Sequence, residues 1–295
     1  PGDPVEVIAG GIASEETKNE IRVELGLDKN LTERYLSYLN DLSEGSLGSS
    51  FYTKVPVLES INQYLFDTFE LIIMSLIIAL LLGFIFGSLG AYFRGKFPDK
   101  ISNLILSVIQ AVPDFFLGLL LIYFLFYKFQ LVPVPVGRLG LLDLPPEEVT
   151  GGLLIDSIIA GNWDTFKIGL KHAILPSITL GIFYSSYFGR TTRNVLGNAL
   201  NSNQVEFAKA LGLSKLRVFL YALVDARTPI ITYIAILFAG LFGASAIIET
   251  VFAWNGIGGW AIDKILMLDI PAIQGFILFA GLITLFTYTF LDILI

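Results

Sequence analysis

The chain has 295 residues, 54% of them hydrophobic and 15% charged, with a mean hydropathy of +0.72 and a formal net charge of −7. An average globular domain has about a quarter of its residues charged, so this composition excludes an ordinary soluble domain. The 24 Phe set against 19 Lys+Arg exclude disorder and a nucleic-acid-binding surface as well. With no Cys and one His, the chain has no disulfide framework, thiol nucleophile or His/Cys metal cluster.

In chain order, residues 1–68 carry two amphipathic stretches, 15–25 and 31–42, the second with Leu31, Tyr35, Tyr38, Leu39 and Leu42 at helical spacing. Gly26, Gly45 and Gly48 punctuate them, which predicts a small, mainly helical unit. Five apolar runs follow: 71–93, 101–127 (interrupted only by Asp114), 173–189, 228–248 and 270–291. Each is near the ~20 residues that cross ~30 Å of hydrocarbon as a helix. They are apolar all round, and a chain of this length cannot bury five such helices in a soluble core. Between the second and third runs, Pro133, Pro135, Pro145 and Pro146 forbid regular helix. His172, beside Lys171 at the start of the third run, reads as a membrane-interface residue.

The charges set the sides. Arg94, Lys96 and Lys100 surround Asp99 in the first link, and Arg190, Arg193, Lys209, Lys215, Arg217 and Arg227 outnumber Glu206 and Asp225 in the segment 190–228. Basic loops stay in the cytoplasm, so residues 1–68 and the loop 128–170, with Asp143, Glu147, Glu148, Asp156 and Asp164, face outside. An outside start requires one further span before Pro1, six in the intact protein with both ends inside.

Within 190–228, Asn201-Ser202-Asn203 supplies N-cap candidates, 206–211 is good helix former, Gly212 stops it and Ser214 caps a second helix. Thr228-Pro229 is expected to open the next span with Pro at its first position. A two-turn helix is marginal alone. It is either a protruding element that fits a groove on a cytoplasmic protein or a solvated loop helix. In the first case Ala208 and Ala210 allow close approach, Gly212 permits the turn and Glu206 offers a carboxylate.

Glu206-Phe207-Ala208-Lys209-Ala210-Leu211-Gly212-Leu213-Ser214 resembles the "EAA" loop of permease subunits of binding-protein-dependent ABC importers. Pro1-Gly2-Asp3-Pro4, the run from Glu249 through Trp254-Asn255-Gly256-Ile257-Gly258, Asp269-Ile270-Pro271 and Gln274-Gly275 are similar to the dipeptide/oligopeptide/nickel branch, in its first permease of the pair. Three positions depart from that branch: Asn255 stands where Pro is usual, Tyr221 where His is common, and Gln204 where an aromatic residue precedes the EAA core.

The resemblance implies an all-α polytopic transmembrane bundle of the type I ABC importer permease fold, with five spans present and an external helical domain over 1–68. The transmembrane domain would occupy 69–295, including the external loop 128–170 and the cytoplasmic coupling loop 190–228. Its partners would be a second related permease, two cytoplasmic ATPases that carry ATP and Mg, an external solute-binding protein and the bilayer. The chain itself would bind no cofactor, no metal and no nucleic acid and catalyse no bond change. It would sit in the cell membrane as the path for peptides, with oligosaccharides or nickel complexes as other cargoes of such machinery. Glu206, Ala208, Ala210, Gly212 and Leu213 would couple to an ATPase. Arg190 and Arg193 either orient that loop or anchor to lipid headgroups.

Asp114, just after Pro113, is the one ionisable residue well inside an apolar run. Such a charge faces an aqueous path or pairs with a neighbouring subunit. Glu249 is a second candidate for the path or gate, and Trp254, Gly256 and Gly258 are candidates for the external rim or a docking surface for the binding protein. An intramembrane enzyme would need several acids, His or Cys at one depth, which this sequence lacks; a structural channel subunit is the other class that fits the spans.

Overall fold

The computed structural model describes residues 3–10, 13–140 and 142–294; Pro1 and Gly2 of the opening motif lie outside them. It is helical. Three short helices come first: α1 (Pro4–Ala9), α2 (Glu15–Glu24) and α3 (Leu31–Ser43). Asp3 caps α1 by accepting from Val5 N, and the same carboxylate pairs with Arg22 of α2. Gly26, Gly45 and Gly48 all adopt positive φ, which explains the breaks that follow the helices. The unit is tied to the bundle by Asp269, fully buried, which accepts from Ser50 Oγ at 2.5 Å and Phe51 N at 3.0 Å.

The bundle is built on α4 (Val57–Tyr92), α8 (Trp163–Ala199), α10 (Lys215–Val251) and α12 (Ile270–Leu294). These four are long and apolar enough to cross a membrane. The helix α4 starts at Val57 and runs unbroken through residue 68. The region expected to be one straight second span, 101–127, is instead α5 (Phe97–Ala111) and α6 (Asp114–Leu121), the latter passing into a π-helical segment (Ile122–Lys128), bent by 97°. Pro113 causes the break: its ring drives Val112 out of the α region, to ψ 125°, and it donates no hydrogen bond. Among the described residues, then, four helices are long and apolar enough to cross a membrane, and five when the bent pair counts as one.

The expectation at Pro229 is also corrected, because it lies inside a continuous α10 rather than at its start. The ring forfeits only the bond to the Asp225 carbonyl, and the residues before it, Val218, Ala222 and Ala226, are held by burial against α8 and α4. The external connector contributes a short helix, α7 (Leu153–Ile159), after an irregular segment. The bundle is closed outside by α11 (Ile257–Leu266) and inside by α9 (Asn203–Ala210).

The closest packing is between α4 and α8. On α4, Gly83, Gly87 and Gly90 follow one face at i, i+4, i+7; on α8, Ser177, Gly181, Ser185, Gly189 and Thr192 do the same, all buried. Small residues let two membrane helices bring their backbones together, where dispersion replaces the hydrophobic effect as the driving force. A Cβ at Gly87 would lie 2.6 Å from the Gly189 carbonyl oxygen and 2.7 Å from Thr192 Cβ; at Gly281 of α12 it would meet nothing within 4 Å. Gly87→Leu should therefore cost at least the ~1–3 kcal/mol of an overpacked core and lower the unfolding temperature in detergent, whereas Gly281→Leu should leave it unchanged.

Candidate functional site

The short helix α9 is made by its ends. Ser202 Oγ accepts from Val205 N, and at the other end Gly212 N donates to Lys209 O while Leu213 N donates to Ala208 O. That pair of bonds, with Gly212 at φ 74°, is the left-handed cap that turns the chain straight into α10. Val205 and Ala208 are buried against Ala91 of α4, Leu196 and Ala199 of α8, and Val218 and Ala222 of α10. The helix thus rests on the ends of three others.

This seating reassigns the residues expected to meet a partner. Ala208 and, in part, Leu213 face their own subunit. Glu206, Ala210 and Gly212 are exposed, and so are Phe207 at 65% and Leu211 at 64%, one helical turn apart on the outward side. Sequence reading missed this apolar pair; its i, i+4 spacing, out of phase with Val205 and Ala208, was the available signal.

The two arginines of α8 bond within the chain. Arg193 Nε lies 2.6 Å from Asp99 Oδ1 and its NH2 3.0 Å from Oδ2, a fork onto a carboxylate that also accepts from Gly95 N. The stem of Arg193 crosses α4 at Gly90, where a Cβ would be 2.9 Å from it. Arg190 donates to Ser107 Oγ. Both side chains tie the α4–α5 turn and α5 to α8 near α9, and the sequence did not single out Asp99 as the partner of Arg193.

At the other end of the bundle, carboxylates cap short helices from neighbouring elements. Glu249, at the end of α10 and 1% exposed, accepts from Thr68 Oγ1 at 2.6 Å and from Gly259 N in the first turn of α11 at 2.8 Å. Thr68 Oγ1 in turn accepts from Ile257 N. Gly256 is required between them, since a Cβ there would lie 2.3 Å from Thr68 Oγ1 and 2.6 Å from Glu249 Oε2. Gly258 presses α11 onto Ala246 of α10, with 2.6 Å from its would-be Cβ to the Ala246 Cα. Glu70 of α4 does for α7 what Glu249 does for α11, accepting from Leu154 N and Ile155 N. A negative group at these helix starts satisfies orphan amides and meets the positive end of the dipole.

Above this layer lies an external cavity of about 610 Å³, whose lining includes Asp67, Arg138, Asp156, Glu249, Trp260 and Asp263. Asp67 and Arg138 form an ion pair across it. Trp254, expected at the rim, is buried at 1% exposure and donates from its indole to Asp67 O; Gly256 and Gly258 are buried too. These three hold the cavity wall from beneath, and the exposed rim is formed by Gln63, Glu148, Asn255 and Asp263. Pro113 and Asp114 do not line this cavity. Asp114 starts α6, half-exposed, and accepts from Phe115 N.

Chemically, the site can bind and move but has no nucleophile–base pair, and the described residues contain no group of three or more acids, His or Cys that could hold a metal. Asp156 organises the connector by accepting from Val149 N, Thr150 N, Thr150 Oγ1 and Gly151 N. Burial pushes its carboxyl up, but the Thr150 hydroxyl and the three amides outweigh this and hold it below the usual range. A depressed carboxylate stabilises above its ordinary pKa and loses that contribution as pH falls through the lowered one. Protection of the amides 149–151 against exchange, corrected for intrinsic rate, should collapse only under strongly acidic conditions, whereas Asp156→Asn should abolish it at neutral pH.

Comparison with known proteins adds a family to this geometry. Residues 79–295 match the model of the binding-protein-dependent transport system inner membrane component. Over its whole length the chain is 34% identical to a probable D,D-dipeptide transport system permease protein, DdpB, of Escherichia coli K12, covering 86% of that protein. It is likewise 34% identical to the di/tripeptide permease DppB of Pseudomonas aeruginosa UCBPP-PA14, covering all of this chain and 88% of that one. The glutathione permease GsiC of Escherichia coli O6:H1 is 31% identical over 96% of this chain and 83% of its own. Among solved structures, an amino acid ABC transporter with histidines superposes with a TM-score of 0.52 at 16% identity, over 77% of this chain and 88% of that one.

Proposed function

Because the chain belongs to the family of binding-protein-dependent transport inner membrane components and is a multi-pass permease subunit rather than an enzyme, we propose that it forms half of the translocation path of an ATP-driven peptide importer. The other half is a second, related permease; two ATPases bind ATP and Mg on the cytoplasmic side, and an external binding protein delivers the cargo. Residues up to 56 form the external domain and the rest the membrane domain.

The observation that carries this reading is α9: a capped helix between two membrane-crossing helices, seated on α4, α8 and α10, with Phe207 and Leu211 turned outward. Two exposed apolar side chains flanked by Glu206 and Ala210 suit a groove in a partner, and buried aromatic anchors carry most of the energy of such contacts. A helix resting on the ends of α4, α8 and α10 passes a push on as a rigid-body shift. The glycine seam between α4 and α8 carries that shift to Thr68, Glu70 and Glu249 at the outer face, where α7 and α11 wall the cavity. Alternating access needs two such arrangements whose balance the ATPases change.

The cargo class rests on the relatives and on the cavity, which sets Arg138 among carboxylates. A peptide carries an ammonium and a carboxylate, and a cavity with both signs can meet both. In this reading Asp114, beside the break at Pro113, lines the inner path, where bending of the α5–α6 pair exposes or hides it.

In proteoliposomes with the partner subunits and the loaded binding protein, Glu206→Lys and Gly212→Val should abolish dipeptide uptake while the permease still extracts as a folded protein. Phe207→Ala and Leu211→Ala should each weaken ATPase retention about tenfold, the equivalent of 1.4 kcal/mol. Wild-type uptake in all four variants removes the coupling role. Uptake of a saccharide but no peptide removes the cargo assignment alone.

A further inference from the structure

A second cavity, of about 500 Å³, opens on the cytoplasmic side between the end of α4 and the α9–α10 turn, away from the coupling helix's outward face. Arg94, Lys209, Lys215 and Asn201 line it over an apolar floor that includes Leu213 and Val218, and no carboxylate lines it. Asp99, five residues on from Arg94, has its oxygens taken by Arg193 and Gly95 N. Arg94 makes a long bond to Asn198 Oδ1, Lys209 donates to the Leu200 carbonyl, and Lys215 has no ion-pair partner among the described residues. Three cations converge on the cavity, and no acid among the described residues lines it with them. Lys215 also opens α10, a helix of 37 residues whose cap residue, Ser214, makes no side-chain bond to its first amides, which adds a positive helix end to the same place.

One further feature separates possible anions. On α4, Leu81, Ile85, Leu89 and Tyr92 are exposed at 60%, 51%, 42% and 42% and follow each other at i, i+4, i+8, i+11. This apolar stripe runs down the membrane-crossing helix and ends at Tyr92, which lines the cavity. A free phosphate or a partner's carboxylate would use the cations alone; a molecule with an acyl chain and a phosphate would use the stripe and the cations together. We propose that the cavity holds the headgroup phosphate of an anionic phospholipid of the cytoplasmic leaflet, its acyl chain lying along α4, so that lipid charge bears on the turn that carries the coupling helix. The assignment stands apart from the cargo.

The test is lipid retention by the intact transporter taken from bilayers of phosphatidylethanolamine with phosphatidylglycerol, followed by native mass spectrometry during stepwise delipidation. The wild type should keep phosphatidylglycerol preferentially. The double variant Arg94→Gln, Lys215→Gln should keep several-fold less of it with phosphatidylethanolamine unchanged, and the charge-preserving Arg94→Lys, Lys215→Arg should match the wild type. Inorganic phosphate in excess should displace nothing. Equal phosphatidylglycerol retention in the wild type and the Gln variant overturns the proposal. So does displacement by inorganic phosphate, which assigns a free-anion site, and so does loss of the ATPases from the Gln variant with its lipid retained, which assigns a partner's acids.

Discussion

The close approach of α4 and α8 is the constraint on which the rest depends. Glycines on one helix meet glycine, serine and threonine on the other, with would-be Cβ positions as near as 2.6 Å to the opposing backbone. Nothing larger fits, so the two helices have one register. That register places Thr68 and Glu70 at one end beside α11 and α7, and Ala91 at the other end beside the seat of α9. It also sets Gly90 under Arg193, which lets the guanidinium reach Asp99.

Charge is used locally and sparingly. Buried carboxylates are costly unless every lone pair finds a donor, and Glu249 and Asp269 each accept at least two bonds inside the chain. Their role at the outer face is architectural: each fixes a short element that could not hold its place on propensity alone. Nine of the 19 Lys and Arg gather in 94–100 and 190–227, where only three of the 26 acids stand.

The parts legible in the sequence were those written in local chemistry. Hydropathy gave the membrane class and the positions of the apolar runs, and Ser202 with Gly212 gave α9 and its end. Tertiary placement was not legible. Pro113 and Pro229 look alike in a sequence, yet one breaks its helix and the other is carried through: Val218, Ala222 and Ala226, which precede Pro229, are buried against neighbouring helices, whereas Ala111 and Val112 before Pro113 are not buried. Glu249 read as a path or gate candidate and Trp254 as a rim residue because their partners, Thr68 and Asp67, are about 180 residues away. Phe207 and Leu211 were hidden among the apolar majority: in this chain an exposed Phe is common, and only the burial of Val205 and Ala208 reveals which face is left over.

The account makes α4, α8 and α9 one body from the outer cavity to the coupling helix. The chain has no native Cys, so labels at Asn62→Cys on the outer turn of α4 and Asn203→Cys on α9, both exposed positions, report that body without further changes. The most direct test is the distance between them by pulsed electron resonance in the assembled transporter, nucleotide-free and with ATP trapped on the ATPases. One body predicts the same distance distribution in both states; a distance that changes between them contradicts it.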